Sequence, residues 1–438
     1  MQFLRTTFVL LYSLFVTRVI WVLACIARLS PNLREQISDR QSAIEIAKTF
    51  ARSRSRFHYS VLFFCSSAGE YEQAKPLIDR LAMRGDCFVL ALFFSKSGLA
   101  FAKARGEKIP VALTPLTDSV WEWGSIFASI RPNITAIMRH EIWPGFLTTA
   151  CDYSHVCLID ASTSFGERKS RLKRIIRRRL LNKFHNIFAV SREDLDFFSE
   201  TYLFPIDRLH LVGDTKYDRV IERAMAKKDG LSQLKSLLDR SGQPLYRLIV
   251  GSAHKADIEN VIAAYKQLGS DKARWQVVLV PHHVDTETIA WVQKELDLSS
   301  VSWKLFSQLH DPNHGLKQEL TPFIIVNQMG LLAELYATGH AALVGGAFHH
   351  QVHNVLEPAC HGLALAWGPR FENSQEAISI VQLGLADVLE NSSQLAAWWR
   401  ELPGHLAQKT RGVTEAVANL CGASDKIMAK WQTVLGSN

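Results

Sequence analysis

Short apolar runs separated by longer amphipathic stretches recur along most of this chain. Tyr59–Cys65, Cys87–Phe94, Ile134–Met138, Val156–Ile159, Asn186–Val190 and Leu209–Val212 read as strands. Helix-like segments lie between them, and this alternation predicts a parallel sheet with helices on both faces. A second series follows at Leu245–Val250, Gln276–Val280, Phe323–Val326, Ala341–Val344 and Leu363–Trp367. Between the two series, residues 222–244 turn charged and turn-forming, with Lys227-Lys228-Asp229-Gly230 and Asp239-Arg240-Ser241-Gly242-Gln243-Pro244. A domain boundary is expected there. The pattern therefore predicts two doubly wound, Rossmann-like α/β domains, residues 31–222 and 245–438, with a cleft between them. The last helices, from residue 372 to 437, are expected to finish the second domain, with room to cross back over the first.

The amino terminus breaks this pattern. Thr7–Ala27 is almost wholly apolar, with Arg5 before it and Arg28 after it. As a helix it would run roughly 32 Å, enough to cross a bilayer. Arg18 interrupts it, at a cost of about 2.5–3.5 kcal/mol at mid-membrane unless the side chain snorkels. The same arginine speaks against a cleaved signal, including a lipoprotein signal ending at Cys25. A retained anchor over residues 1–30, spanning or interfacial, is favoured over a buried core helix.

Charge and cysteine usage narrow the partners. The 438 residues carry a net charge of +8, which points to an anionic partner. The seven cysteines are scattered, without metal-ligand spacing, and read as reduced thiols. Arg171–Lys183 is strongly basic, with Leu172, Ile175, Ile176, Leu180 and Phe184 as an apolar stripe at helical spacing. It is read as a solvated basic face or as a contact for lipid phosphates at an anionic membrane surface. Nucleic acid is not expected, because no aromatic residues interleave as a stacking platform.

In open α/β sheets, ligands bind beyond the carboxyl ends of the strands. The first strand ends in Ser66-Ser67-Ala68-Gly69-Glu70. Gly69 permits a tight turn and close ligand approach. Glu70 either accepts a proton from a hydroxyl nucleophile or complements a helix dipole. Glu141, before Trp143-Pro144, repeats the arrangement, with helix capping as its alternative. In the second series, Gly251-Ser252-Ala253-His254 and Pro281-His282-His283 end strands whose amides and hydroxyls suit phosphate. Met329-Gly330 follows the next strand, where its backbone suits a base. Gly345-Gly346 leads to His353-Asn354-Val355-Leu356-Glu357-Pro358, and a carboxylate there suits a pair of ribose hydroxyls because it only accepts. His254, His282, His283, His349, His350 and His353 are expected to converge on a donor phosphate or carboxylate. No spacing matches a recognised zinc motif, so neither metal nor cofactor is expected.

Taken in order, these motifs, with Gly213-Asp214-Thr215-Lys216-Tyr217-Asp218 between them, resemble the Kdo (3-deoxy-D-manno-octulosonic acid) transferases of lipopolysaccharide synthesis. The resemblance is collinear over nearly the whole chain. It implies a GT-B glycosyltransferase at the inner membrane, with both domains on the cytoplasmic side. It implies inverting transfer of Kdo from CMP-Kdo to a lipid A precursor. Glu70 would be the general base, with Glu141 supporting it, and Asn354 and Glu357 would hold CMP. Gly69, Lys216, Ser252, His254, His282, His283, Met329, Gly330, Gly346 and His353 would complete the substrate and nucleotide sites. No metal is implied, since the leaving nucleotide is a monophosphate. The chain departs from the family at His282, where arginine is usual, at Gln328 and Leu331 around Met-Gly, at Gly145, and in the short Phe348–Val352 loop. These departures leave open another nucleotide sugar, or a catalytically silent glycolipid-binding protein. The sequence carries no signal for an oligomeric state.

Overall fold

The computed structural model describes residues 52–115, 117–163, 171–226, 231–239, 245–310 and 321–436, with Arg18, Arg40, Glu45, Thr49 and Phe50 before them. Two units emerge, Met1–Arg219 with Leu420–Asn438, and Val220–Asn419. In the first, β1 (Tyr59–Cys65), β2 (Cys87–Phe93), β3 (Val111–Leu113), β4 (Ile134–Met138), β5 (His155–Ala161), β6 (Asn186–Ala189) and β7 (Leu209–Leu211) form one parallel sheet. Its order is β3-β2-β1-β4-β5-β6-β7. In the second, β8 (Tyr246–Ala253), β9 (Trp275–Pro281), β10 (Trp303–Leu305), β11 (Phe323–Ile325), β12 (Ala341–Val344), β13 (Ala364–Trp367) and β14 (Ala386–Val388) form the other. Its order is β10-β11-β9-β8-β12-β13-β14. Each order reverses once, between β1 and β4 and between β8 and β12, and those are the points where an open sheet leaves a crevice.

Strand periodicity explains the continuous apolar runs. Successive side chains point to opposite faces. Leu62 and Phe64 of β1 join one buried cluster, while Val61, Phe63 and Cys65 join another. In β8, Leu248 and Val250 face one cluster and Ile249 the other. Both faces of each sheet are covered, so neither face has a polar alternate. The sequence reading missed β3, β10 and β14. All three are three-residue strands at sheet edges, too short to show a period.

The expected boundary segment holds a helix, Leu231–Asp239, whose Leu237 and Leu238 are buried in the second unit. The expected second domain, 245–438, ends earlier than the sequence suggested, because residues 420–438 belong to the first unit. There the helix Ala423–Leu435 buries Ile427, Trp431 and Leu435 against the first sheet. Asp218 secures its start, accepting the Gly422 and Ser424 amides at 2.6 and 2.7 Å. Asp218 is itself buried. Asp218→Ala should therefore destabilise the first unit by about 1–3 kcal/mol, the cost of buried donors left unmade. A thermal melt checks this, and an unchanged melting temperature would deny the anchor.

Among the described residues, no helix is long and apolar enough to cross a membrane. The expected anchor, Thr7–Ala27, lies outside the described residues except for Arg18. Arg40, in the segment that follows the expected anchor, is buried. Its guanidinium donates to Thr114 Oγ1 at 3.1 Å and to the Phe94 carbonyl at 2.5 Å. The basic segment forms the helix Arg171–Leu181. Its apolar stripe is only partly core: Phe184 is buried and Leu180 half-buried, but Ile175 and Ile176 are each 47% exposed. The six described cysteines form no disulfide with one another.

Candidate active site

Glu70 and Glu141 stand beyond the carboxyl ends of β1 and β4, the two strands at the first switch point. Glu70 is in the first turn of helix Ala68–Met83, where Ser67 caps it by accepting the Glu70 amide. Glu70 Oε2 accepts the Ser66 amide at 2.5 Å, so its capping role is real. Burial nevertheless raises the Glu70 pKa, with nearby Glu141 adding to the rise, while the Ser66 bonds and Arg139 oppose it. Gly69 needs no special backbone angle, and a Cβ there would meet only Ser67 Oγ, at 3.8 Å. The expected tight turn is thus not what calls for glycine. Gly69 is exposed.

Helix capping does not account for Glu141. The helix Pro144–Tyr153 is capped by buried Asp118, which accepts the Gly145 and Phe146 amides at 2.7 Å each. A Cβ on Gly145 would run into the Asp118 backbone, which explains glycine there. Glu141 instead accepts the Trp143 indole N–H at 2.8 Å.

The sequence reading overlooked Arg139. Its φ of +56° is strained for a side-chain-bearing residue. Its guanidinium donates to Gln73 at 2.6 Å and to Asp214 at 3.3 Å. Behind it, fully buried Asp160 accepts the Thr215 amide and hydroxyl at 3.0 and 2.5 Å. Burial pushes Asp160 well above the usual carboxylate range, with Asp214 adding to this. Lys216 opens the same helix, Thr215–Ala226, so the structure places it in the first unit.

In the second unit the histidines converge, as expected. His254 follows β8, His282 and His283 follow β9, and His349, His350 and His353 lie beyond β12. The His254 ring centroid is 4.5 Å from that of His282, 4.6 Å from His350 and 5.2 Å from His353. They border a cavity of about 770 Å³ that Arg370 and Glu372 also line. Burial and neighbouring rings lower the pKa of His282 and His353, and that of His254 to about 4. Buried Asp257 knits the loops together, accepting the His254 and Gly346 amides at 2.7 and 2.8 Å. Gly346 has φ +94°, and a Cβ there would strike the Gln351 carbonyl. Ser252, at φ +52°, also holds a strained backbone.

The remaining residues form a neighbouring group. Met329 and Gly330 are exposed and lead into helix Leu332–Tyr336. Asn354 Oδ1 accepts the Leu356 amide at 3.0 Å, so this side chain starts helix Leu356–Cys360. Glu357 lies in its first turn, close enough to raise the pKa of buried Tyr336 further above what burial alone does.

Two parallel-sheet α/β units, each with candidate groups at its switch point, define a protein that resembles the GT-B glycosyltransferases. Solved structures agree on this architecture. UDP-GlcNAc 2-epimerase from Neisseria meningitidis, bound to UDP-GlcNAc, has a TM-score of 0.58 at 13% identity, covering 85% of this chain and 100% of that one. Another UDP-N-acetylglucosamine 2-epimerase gives 0.54 at 16% identity, covering 87% and 97%. Residues 35–219 match the 3-deoxy-D-manno-octulosonic-acid transferase (kdotransferase) family. Curated 3-deoxy-D-manno-octulosonic acid transferases are similar over most of the chain. That of Rickettsia felis is 24% identical, covering 81% of this chain and 72% of its own. That of Aquifex aeolicus is 23% identical, covering 69% and 74%. The chain is thus similar to the Kdo transferases over most of its length.

Proposed function

We propose that this protein is an inverting glycosyltransferase that moves Kdo from CMP-Kdo to a lipid A precursor in lipopolysaccharide synthesis. Beside the similarity to Kdo transferases, one observation carries the reading: Glu70 is a half-buried carboxylate at a switch point with a raised pKa. Such a carboxylate is a stronger base than an exposed one. In this reaction Glu70 takes the acceptor hydroxyl proton while that oxygen attacks the anomeric carbon of Kdo. The bond to the CMP phosphate breaks, and the phosphate leaves with the electron pair. Arg139 and Glu141 set the field at Glu70. Ser252 and the histidine-lined cavity hold the phosphate, while Met329, Gly330, Asn354 and Glu357 hold the nucleoside. Incubation with CMP-Kdo and tetraacyl lipid A precursor should release CMP and yield a slower-migrating lipid. No product, together with no CMP-dependent rise in melting temperature, would overturn the reading. Thermal shifts with another nucleotide sugar alone would instead favour a different donor, and lipid binding without CMP binding a silent glycolipid-binding protein.

We infer that the acceptor is met at the cytoplasmic face of the inner membrane, through an anchor at residues 1–30. Two features support this: the apolar stretch Thr7–Ala27 with arginines after it, and exposed Ile175 and Ile176 beside Arg174, Arg177 and Arg178. Each basic residue near an anionic surface adds about 1 kcal/mol and is screened by salt. Deleting residues 1–30 should move much of the protein to the soluble fraction at high salt, while the melt stays cooperative. A truncated protein that stays in the membrane pellet at high salt would deny the anchor.

A further inference from the structure

Three imidazoles from three different loops of the second unit face one another. One ring nitrogen from each of His254, His282 and His353 lies within 4.8 Å of the other two. The Nε2 atoms of His254 and His353 are 3.0 Å apart. Ring centroids are 4.5 Å apart for His254 and His282, 4.6 Å for His282 and His353, and 5.2 Å for His254 and His353. Nitrogens held at about 2.0–2.1 Å by one tetrahedral ion stand roughly 3.3 Å from each other. The three rings lie within 22° of parallel, so they close on a cation by turning about their side-chain bonds to aim one lone pair each at it.

The backbone already holds the three loops in place. Asp257 Oδ2 joins the His254 and Gly346 amides. The His282 amide donates to the Ala253 carbonyl at 2.9 Å, and the His353 amide to the Gly345 carbonyl at 3.2 Å. One hydrogen bond between His254 and His353 occupies one nitrogen of each ring. It does nothing for His282, whose ring nitrogens have no hydrogen-bond partner among the described residues. Hydrogen bonding within the cluster thus does not explain why three rings gather.

We propose that His254, His282 and His353 hold one divalent transition-metal ion of the zinc class, with its remaining coordination directed to the 770 Å³ cavity. Imidazole suits zinc, cobalt, nickel and copper, whereas magnesium and calcium require oxygen ligands. Three protein ligands leave a position for water or an anionic oxygen. On the donor reading proposed above, on which only this clause rests, that oxygen belongs to the sugar-nucleotide phosphate. The ion supplies the positive charge that three neutral rings lack.

The test uses full-length protein in detergent, purified without a polyhistidine tag and stripped with a chelator. Titration with Co²⁺ alone should show one equivalent bound, with a visible ligand-field absorption that Zn²⁺ displaces. His254→Ala, His282→Ala and His353→Ala should each weaken Co²⁺ binding by about tenfold or more. His405→Ala, on helix Ser392–Leu420, should leave it unchanged. A wild-type protein with no such absorption, or folded triad variants that bind Co²⁺ as the wild type does, would overturn the site. CMP binding is then measured with and without Zn²⁺. Tighter binding with Zn²⁺ supports the phosphate role, and equal binding overturns that role. CMP that never binds, in protein that still takes up Co²⁺, counts against the donor reading and leaves the metal site standing.

Discussion

Glu70→Gln should leave the chain folded and lower turnover by about 10²–10⁴-fold, the usual contribution of a positioned base. Glutamine keeps an oxygen that accepts the Ser66 amide, so the capping contact survives while the base is lost. The pH dependence separates the two roles. Burial raises the folded-state pKa of Glu70 above its unfolded value. Its contribution to stability is therefore complete below the unfolded pKa and is lost as pH rises through the folded one. Activity runs the other way, rising over the same interval as the base ionises. The variant carries no titrating group there, so its melting temperature at neutral pH should be no lower than that of the wild type. Steady-state rates across pH, beside thermal melts, check both statements. Turnover within a few-fold of wild type would assign Glu70 to the helix start alone.

Asp257→Ala should be the most damaging single change in the second unit, and Asp257→Asn nearly silent. One oxygen of Asp257 accepts two amides, from the loop after β8 and the loop after β12. Alanine leaves both donors unmade in a buried place, at about 1–3 kcal/mol each. For a unit of this size, each kcal/mol lowers the melting temperature by about 2–4 °C. The same two loops carry His254 and His353, so CMP binding should weaken along with stability. Asparagine retains an acceptor oxygen with two lone pairs and should keep both contacts. Calorimetry of the two variants, with CMP titrations, is the check. An alanine variant with wild-type melting and wild-type CMP binding would remove Asp257 from this role.

Some of the site was visible as motif and some was not. Glu70 and Glu141 stood out because each followed a strong apolar run. Whether either merely capped a helix was undecidable from local sequence. The cap on helix Pro144–Tyr153 comes from Asp118, 27 residues from Gly145, and no local pattern announces it. Arg139 lay beside a quoted motif, but its partners Gln73 and Asp214 are 66 and 75 residues away. The metal-ligand spacing test passed over the histidines for the same reason. His254 and His353 are 99 residues apart, and zinc motifs are read over a few residues.

The sequence by itself determined the strands buried on both faces, the two-domain α/β class and the resemblance to the Kdo transferases. These follow from local periodicity and from short ordered motifs, which need no knowledge of contacts. Tertiary structure alone decided that Asp218 holds the returning carboxyl-terminal helix, that Asp118 frees Glu141 from capping, and that three distant histidines share one space. Each depends on which strands become neighbours, through crossovers that join residues far apart in the chain. The sheet order sets that adjacency, and the apolar pattern, alike in every central strand, does not encode it.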